Sequence, residues 1–449
     1  MERISFKKMF LILGGIALVI IALSGDDCDE CFSPQALSLK IILIGFLFIG
    51  GSFYYFNKWV ATDSLIFKIE RQPIESIDTI AKEVPVAFSG EIQSKEKLLL
   101  SPYSKTPCVF YHYIKEKFVQ SDKSSHWEIV ENNADHIYFS VKDTTGLIDV
   151  DLRNVDSDLG KYSLKLKNNN YVDYSHSEID AEKICFQKRA DEVKKNFFGF
   201  NSTSKFRVSE YVLRSQQKVF VYGYVHEEKN KKIVAEYKDI PLILSRKTKE
   251  KFIEDFAVGD SFFYSHNFIL ALGFIALYFS LYYFYHLSII YLIGGLALIS
   301  IKMIIQSYNR IITLNNRIGN ASSQIDIELK KRYDLIPELE NIVKGIKSHE
   351  INLVKHVSEM RLLLFKHKNS IRQKEIYDKI LFIRENYAKL NSDKNFRLFM
   401  NHIIKIENNL AYFRGFHNKT VLKYNTLISV FPFNVLAKIA GFKKADYIK

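Results

Sequence analysis

Residues 289–347 read IIYLIGGLALISIKMIIQSYNRIITLNNRIGNASSQIDIELKKRYDLIPELENIVKGIK, and one helical face runs through them without losing phase. Steps of three and four residues connect Ile301, Ile304, Tyr308, Ile311, Asn315, Ile318, Ser322, Ile325, Leu329, Arg332, Ile336, Leu339, Val343 and Ile346, the spacing of positions on one side of an α-helix or coiled coil. The first turns lie in an apolar run with a single charge, Lys302, long enough to cross a bilayer; the later turns are flanked by charges, as on a helix in water. A membrane helix that continues as a soluble one is expected, about 90 Å long if unbroken. Gly319 and Asn320 are weak helix formers, and Pro337 has no N–H for the carbonyl of Tyr333. A hinge is therefore expected at the first pair and a kink at the second site.

The 449 residues leave room for two or three domains, and 47% hydrophobic with 25% charged residues excludes both a disordered chain and one wholly embedded in lipid. The formal net charge of +13 is unevenly spread: residues 307–449 hold 26 Lys and Arg against 13 Asp and Glu, whereas 58–266 balance at 32 against 32. Such a basic region suits an anionic membrane surface. The plainer reading is a solvated lysine-rich helix face, and nucleic acid is not an expected partner. Cys28 and Cys31 sit in the acidic loop SGDDCDECFS and pair only if that loop meets an oxidising compartment. With Cys108 and Cys185 they make no zinc-type set of paired C-x-x-C motifs, and neither metal nor cofactor is expected.

In chain order, Arg3, Lys7 and Lys8 precede an apolar run from Met9 to Leu23 that reads as a span or as a signal-peptide core. A second run, Leu39 to Phe56, follows a loop with four acids and no Lys or Arg; the positive-inside rule puts that loop outside and returns the second helix inward. From Lys58 to about His266, short runs such as VPVAFSGEI, CVFYHYIKEKF, GLIDVDL and KVFVYGYV alternate with turn residues, as in antiparallel β structure of barrel or sandwich type. VPVAFSGEI and VFVYGYV are similar enough to suggest a repeated hairpin. Segment 156–206 reads as an insertion with a helix over Ser177 to Lys195. Two further spans, Phe268 to Tyr285 and Ile289 to about Gln306, are joined by a connection too short to hold a domain, so the regions on either side share one face of the membrane. Further helical faces run through Ile376, Ile380, Ile383, Tyr387 and Leu390, and through Phe396, Phe399, Ile403, Ile406, Leu410, Phe413, His417, Thr420, Tyr424 and Leu427. A short helix, Asn434 to Ala440, is expected to stop at Gly441.

The fold expected is a multi-domain integral membrane protein with transmembrane helices, a mainly-β (α+β) domain and an all-α antiparallel bundle. Its parts are 1–57 (spans about 9–24 and 39–56), 58–266, 267–306 and 307–449. From about Tyr308 to Tyr447 the chain resembles the LemA family, on YNRIITLNNRIGNASSQIDIELKKRYDLIPELENIVK, IENNLAYFRGFHNKTVLKYN and FPFNVLAKIAGFKKADY in that order. The resemblance implies a membrane-tethered helical bundle of cytoplasmic type and no particular chemistry; Gly415 to His417 depart from the family's RxYN-like pattern. Residues 75–250 resemble the GIDE domain, the membrane-flanked module of mitochondrial ubiquitin ligases that also occurs in bacterial proteins. The carriers are VPVAFSGEI, LLSPYSKTPCVFYHYIKE, Trp127 of HWEIV, FSVKDTTGLIDVD, RVSEYVLRSQQKVFVYGYV and LSRKTKE. In those ligases the activity resides in a C-terminal RING with eight Cys or His zinc ligands. This sequence has a LemA-like segment in its place, so the resemblance carries no ligase activity.

Ser101, Pro102, Tyr103, Pro107 and Cys108 form a loop entering a strand, the expected surface for a partner or ligand. Asp143, with Gly146, matches the D-x-x-G turn of the GIDE pattern; a hairpin needs such residues whatever the protein does. Arg332 falls where the helical face calls for an apolar residue and needs an anionic partner, Glu407 in preference to Asp334. His112, His126 and His136 are not at a metal spacing. No Ser, His and Asp order, phosphate-binding glycine loop, paired catalytic carboxylates or HExxH is present. A non-enzymatic adaptor or sensor is expected, in an inner membrane of bacterial type with both soluble regions cytoplasmic and an unidentified protein, lipid or small ligand as partner. The alternative is an envelope-remodelling protein that binds anionic lipid through its basic bundle and self-associates.

Overall fold

The computed structural model describes residues 34–120, 125–154, 206–228, 230–238, 240–256, 261–285, 288–345 and 393–448, with shorter pieces between 164 and 202. The run 9–24, Cys28, Cys31, Ile346 and the face from Ile376 to Leu390 lie outside the described residues. The chain divides into two compact units, 1–299 and 300–449.

Helix α1, Pro34–Arg71, extends well past the apolar run that ends at Phe56. Its last turns place Leu65, Ile66 and Ile69 in a buried cluster with Ala87, Phe220, Tyr222, Ile243, Phe252 and Ile253. Asp63, Lys68 and Arg71 lower the hydropathy of this stretch and mask its one apolar stripe.

The strands that follow are β1 (Pro85–Ser94), β2 (Leu99–Leu100), β3 (Pro107–Cys108), β4 (Phe110–Gln120), β5 (Ser125–His136), β6 (Phe139–Lys142), β7 (Leu147–Asn154), β8 (Leu164–Lys167), β9 (Tyr171–Tyr174), β10 (Ser177–Asp180) and β11 (Glu182–Phe186). After them come β12 (Lys194–Lys195), β13 (Asn201–Ser202), β14 (Phe206–Leu213), β15 (Lys218–Glu228), β16 (Lys231–Glu236) and β17 (Ile243–Ser245). Strands β1, β6, β7, β16 and β15 pair in that order, and β15 pairs back onto β1. Five strands thus close a barrel, which removes its free edges. A second sheet, β11-β14-β4-β5, shares the core: Phe110, Ile114, Tyr211 and Leu213 pack with Phe88, Val141, Val150, Val221 and Val234. The similar stretches VPVAFSGEI and VFVYGYV are β1 and β15, antiparallel neighbours with Phe88 opposite Val221. Alternating Val and aromatic residues suit them to adjacent barrel staves rather than to a repeated hairpin.

Two sequence expectations fail in 156–206. Ser177 to Lys195 is not helical where it is described, and the segment is no independent insertion. Strand β10 pairs with β9 and, in parallel, with β17, while Glu182 to Phe186 pair with β14. Cross-strand partners decide the state of such short mixed segments more than local propensity does.

Helix α2 (Lys249–Phe256) packs Phe252 against Phe220, and α3 (Ser261–Tyr285) runs antiparallel to α1. The α1–α3 crossing is close because of glycine: a Cβ at Gly273 would lie 2.8 Å from Cβ of Phe48 and 3.0 Å from the carbonyl oxygen of Gly45. Small residues at such crossings let helix backbones approach closely. Seven residues on in α1 and seven back in α3, Ser52 Oγ donates to the carbonyl of His266 at 2.7 Å.

Helix α4 runs unbroken from Ile289 to Asp334, and among the described residues the helix beginning at Ile289 is the one long and apolar enough to cross a membrane. The hinge expected at Gly319 is absent from the helical path. The break expected at Pro337 falls between Asp334 and α5 (Ile336–Gly345), because proline is tolerated in a first turn, where its missing N–H has no acceptor to serve. Leu339 N resumes the ladder by donating to Leu335 O at 3.1 Å. In the second unit α4 buries Ile311, Ile325 and Arg332 of the expected face. The alternating positions sit one residue earlier, at Ser307, Leu314, Ala321 and Glu328. A stripe of this width holds two files in phase; the buried one takes Leu314 and Ala321 over Asn315 and Ser322, and also Ser307 and Glu328 over Tyr308 and Leu329, so what packs opposite decides between them. Helix α6 (Lys394–Leu427) buries all ten residues expected of its face; Asp393 caps it, its carboxylate accepting from Phe396 N at 2.9 Å. Helix α7 (Phe433–Ile439) ends where Gly441 takes φ +75° and Phe442 N reaches back to Ala437 O, a Schellman ending.

A Cβ at Gly319 meets nothing within 4 Å. Gly319→Ala is therefore expected to stabilise the second unit by about 0.5–1 kcal/mol, the helical preference of alanine over glycine. A lower thermal midpoint for this variant would mean that the glycine is needed for bending.

Candidate binding cleft

The barrel strands build a cleft of about 770 Å³. Its floor is β1 against β15, where Ser89 faces Phe220 and Glu91 lies between Lys218 and Lys142 of the flanking strands. Residues 74–76, the 142–144 turn and residues 246–250 at the start of α2 form the walls. Only glycine fits at position 90, because a Cβ there would lie 2.5 Å from the carbonyl oxygen of Lys142 and 2.7 Å from Cγ1 of Val141. Lys249 is buried and donates to the carbonyl of Gln72, while Lys247 pairs with Asp255 at 2.5 Å. The walls are thus held by side chains that are themselves engaged. Five basic side chains, Lys142, Lys218, Arg246, Lys247 and Lys249, face four acidic ones, Glu75, Glu91, Asp143 and Glu250, beside apolar Ile74, Val219 and Phe220, so the cleft mixes charge with apolar surface and has no dominant sign.

Asp143 lines this cleft and holds one wall. Its Oδ1 accepts from the N–H groups of Thr145 and Gly146 at 2.6 and 2.8 Å and from the Thr145 hydroxyl at 2.7 Å; Oδ2 accepts from Ile77 N at 2.9 Å. Gly146 lies against Ile77, where a Cβ would be 3.2 Å from Cγ2. The turn thus clasps the chain leaving α1 to the β6–β7 hairpin. Burial works to raise the Asp143 pKa, but the hydrogen bonds from Thr145, Ile77 and Gly146 outweigh it and hold the carboxyl below its ordinary value. A folded-state pKa below the unfolded one gives stability that is present above the unfolded value of about 3.9 and lost as pH falls through the folded value. Asp143→Asn is expected to cost about 1–2 kcal/mol at neutral pH, and less as pH falls towards 3. A cost independent of pH would contradict the clasp.

The loop expected to recognise a partner lies outside this cleft and is cross-tied by hydrogen bonds. Ser101 Oγ, Ser104 Oγ and Thr106 Oγ1 form a chain at 2.6 and 2.7 Å. Buried Glu210 accepts from Tyr103 N and Ser104 N, each at 2.9 Å. Tyr103 stands edge-on to Tyr113 at 5.1 Å, and its hydroxyl donates to Glu131 at 3.3 Å. Pro102 is half-buried and Pro107 exposed. The Cys108 thiol is buried 3.7 Å from the carbonyl of Leu99, and burial with the Glu210 charge pushes its pKa up to about 11. It stays a neutral core thiol near pH 7. His112 is buried, bonded to Asn132 at 2.6 Å and stacked on Tyr211; burial lowers its pKa.

In the second unit Arg332 pairs with Glu407, and Pro337 is exposed at the start of α5. Of the residues singled out from sequence, Asp143 reaches the cleft and Gly146 supports its wall. Ser89, Lys142, Lys218, Arg246 and Lys249 were not singled out. Three of these lie on different staves, and only barrel closure brings them together; the one local signal was the basic run LSRKTKE.

A family model described as LemA family matches residues 321–449, and one named GIDE and described as E3 Ubiquitin ligase matches residues 111–277. The first begins inside α4, after Tyr308, and the second leaves β1 out and runs into α3. No curated protein matches the chain. The chain is a fusion of a GIDE-like domain and a LemA-like domain.

Proposed function

We propose that the chain is a membrane-anchored, non-enzymatic adaptor or sensor whose β-rich domain takes a ligand in the barrel cleft. The observation that carries this reading is the cleft itself: about 770 Å³, floored by a closed barrel and lined by charged and hydroxyl side chains together with Ile74, Val219 and Phe220, with no Cys or His among them. A concave site that combines apolar surface with a few charged and hydroxyl groups suits recognition of a ligand carrying both. The name of the GIDE match does not bring ubiquitin transfer with it, because four cysteines in the whole chain, two of them in the N-terminal acidic loop, do not make a RING. Membrane anchoring is supported by α4, whose first turns expose Ile289, Ile290, Tyr291, Ile293 and Leu298, and by exposed Leu43, Phe46 and Phe53 on α1 and Phe268 and Phe279 on α3. Such contiguous apolar surface suits lipid. With spans near 9–24, 39–56, 268–285 and 289–306, the acidic loop is outside and both soluble regions face the cytoplasm of a bacterial-type inner membrane.

A photo-crosslinking residue at Ser89, on the cleft floor, tests the ligand site against one at exposed Ile129. An adduct specific to position 89 in cells is expected; equal labelling at both positions, or none, removes the reading. The excess of 26 basic over 13 acidic residues in 307–449 favours a second reading, an envelope-remodelling protein seated on anionic lipid. It requires vesicle binding that rises with anionic lipid and falls with salt.

A further inference from the structure

Residues 443–448 lie along α6 outside any helix or sheet, and two asparagines read their backbone. Asn425 Nδ2 donates to the carbonyl of Ala445 and its Oδ1 accepts from Ala445 N, both at 2.9 Å. Asn418 does the same to Ile448, both at 2.8 Å. Tyr424 adds a hydroxyl donated to the carbonyl of Lys443 at 3.1 Å. The geometry is matched: two helical turns separate the asparagines by about 10.5 Å, and three extended residues separate their partners by about 10 Å. The segment runs antiparallel to α6. Phe442 precedes it with its ring 5.9 Å from that of Tyr308, and within 443–448 two side chains contribute. Ala445 and Ile448 are half-buried, whereas Lys443, Lys444, Asp446 and Tyr447 are exposed. Ile448 packs against the cluster of Ile325, Ile406, Leu410 and Phe413 that joins α4 to α6.

An asparagine amide that both donates to and accepts from one residue does what a neighbouring β-strand does, and it is blind to side-chain identity. We propose that this groove of the helical unit is a binding site for an extended peptide, occupied in cis by residues 443–448. Its ligand class is an extended segment with a small residue at the Asn425 position and an aliphatic one three residues later, its backbone N–H groups free. The chain's own C-terminal strap is that ligand, and a partner segment of the same pattern gains access by displacing it. The energetics allow exchange, because hydrogen bonds that trade against water contribute little net and the apolar contact is confined to a small notch.

The test uses the full chain in detergent, the same chain ending at Gly441, and a fluorescent synthetic peptide FKKADYIK, residues 442–449. Saturable anisotropy is expected with the shortened chain and none with the full chain, whose groove is filled. N-methylation at the alanine, or Asn418→Ala with Asn425→Ala, should weaken binding by about tenfold or more; changes at the Lys444 and Tyr447 positions should leave it within about twofold. Failure of a shortened chain of native helicity to bind, equal binding by the full chain, or indifference to N-methylation overturns the proposal. If the shortened chain does not fold, Ala445→Pro in the full chain removes the N–H that Asn425 accepts. Amide exchange at Ile448 should then speed up by about tenfold, and unchanged exchange overturns the proposal equally.

Discussion

Glu407→Gln is expected to destabilise the helical unit by about 3 kcal/mol, the lower end of the cost of breaking a buried ion pair. Arg332 is 4% exposed on the α4 face that packs towards α6, and its guanidinium has the Glu407 carboxylate as ion-pair partner. The glutamate side chain is 25% exposed, so water offsets part of the loss and the upper end of the range is not reached. Glutamine keeps the shape and removes the negative charge that faces the desolvated guanidinium. In a unit of this size the midpoint should fall by about 6–12 °C, against no resolvable change for Glu338→Gln at an exposed position. The double variant Arg332→Met with Glu407→Leu should recover most of the loss, since an apolar pair of similar volume incurs no desolvation cost. Equal midpoints for Glu407→Gln and Glu338→Gln would show that the pair contributes nothing.

In the β domain Glu210→Ala is expected to cost about 3 kcal/mol. The carboxylate is fully buried, and each oxygen accepts one backbone N–H of the 101–106 loop; hydrogen bonds to a charged group contribute about 1.5–3 kcal/mol each. Alanine removes both and leaves two donors without an acceptor. Glutamine should rescue little, because its amide NH₂ would point at one of the same N–H groups. Amide exchange at Tyr103 and Ser104 should rise selectively while the barrel strands stay protected. Cys108 should become easier to ionise, since the Glu210 charge is the second cause of its raised pKa. Unaltered exchange at Tyr103 and Ser104 would mean that the loop is held by Ser101 and Thr106 alone.

Helical faces were most legible where one residue per turn carries the signal. Phe396, Phe399, Ile403 and Leu410 in α6 read directly from spacing, because the α6 stripe is wide enough to bury the whole expected file together with its neighbours Met400, Phe416 and Val421. On α4 spacing left two files in phase, and the choice between Leu314 and Asn315 depends on what packs opposite. The last turns of α1 went unread, since Leu65, Ile66 and Ile69 stand among charges and find their apolar partners more than 150 residues away at Phe220 and Phe252. Segment 177–186 shows the same limit: its strand state is set by β9, β14 and β17. Of the cleft, the Asp143 turn was readable because its chemistry is local. Lys142, Glu91 and Lys218 meet only through strand register, and the grip of Asn418 and Asn425 on the C-terminal segment depends on a match of helical to extended rise that no single motif displays.

The proposed architecture rests on both soluble regions sharing the inner face of a membrane. Protease accessibility of tags placed after Cys31, at Asn168 and after Lys449 in intact cells tests it most directly. Cleavage of the Cys31 tag alone from outside is the expected result; external cleavage at Asn168 or Lys449, or protection of the Cys31 tag, would contradict it.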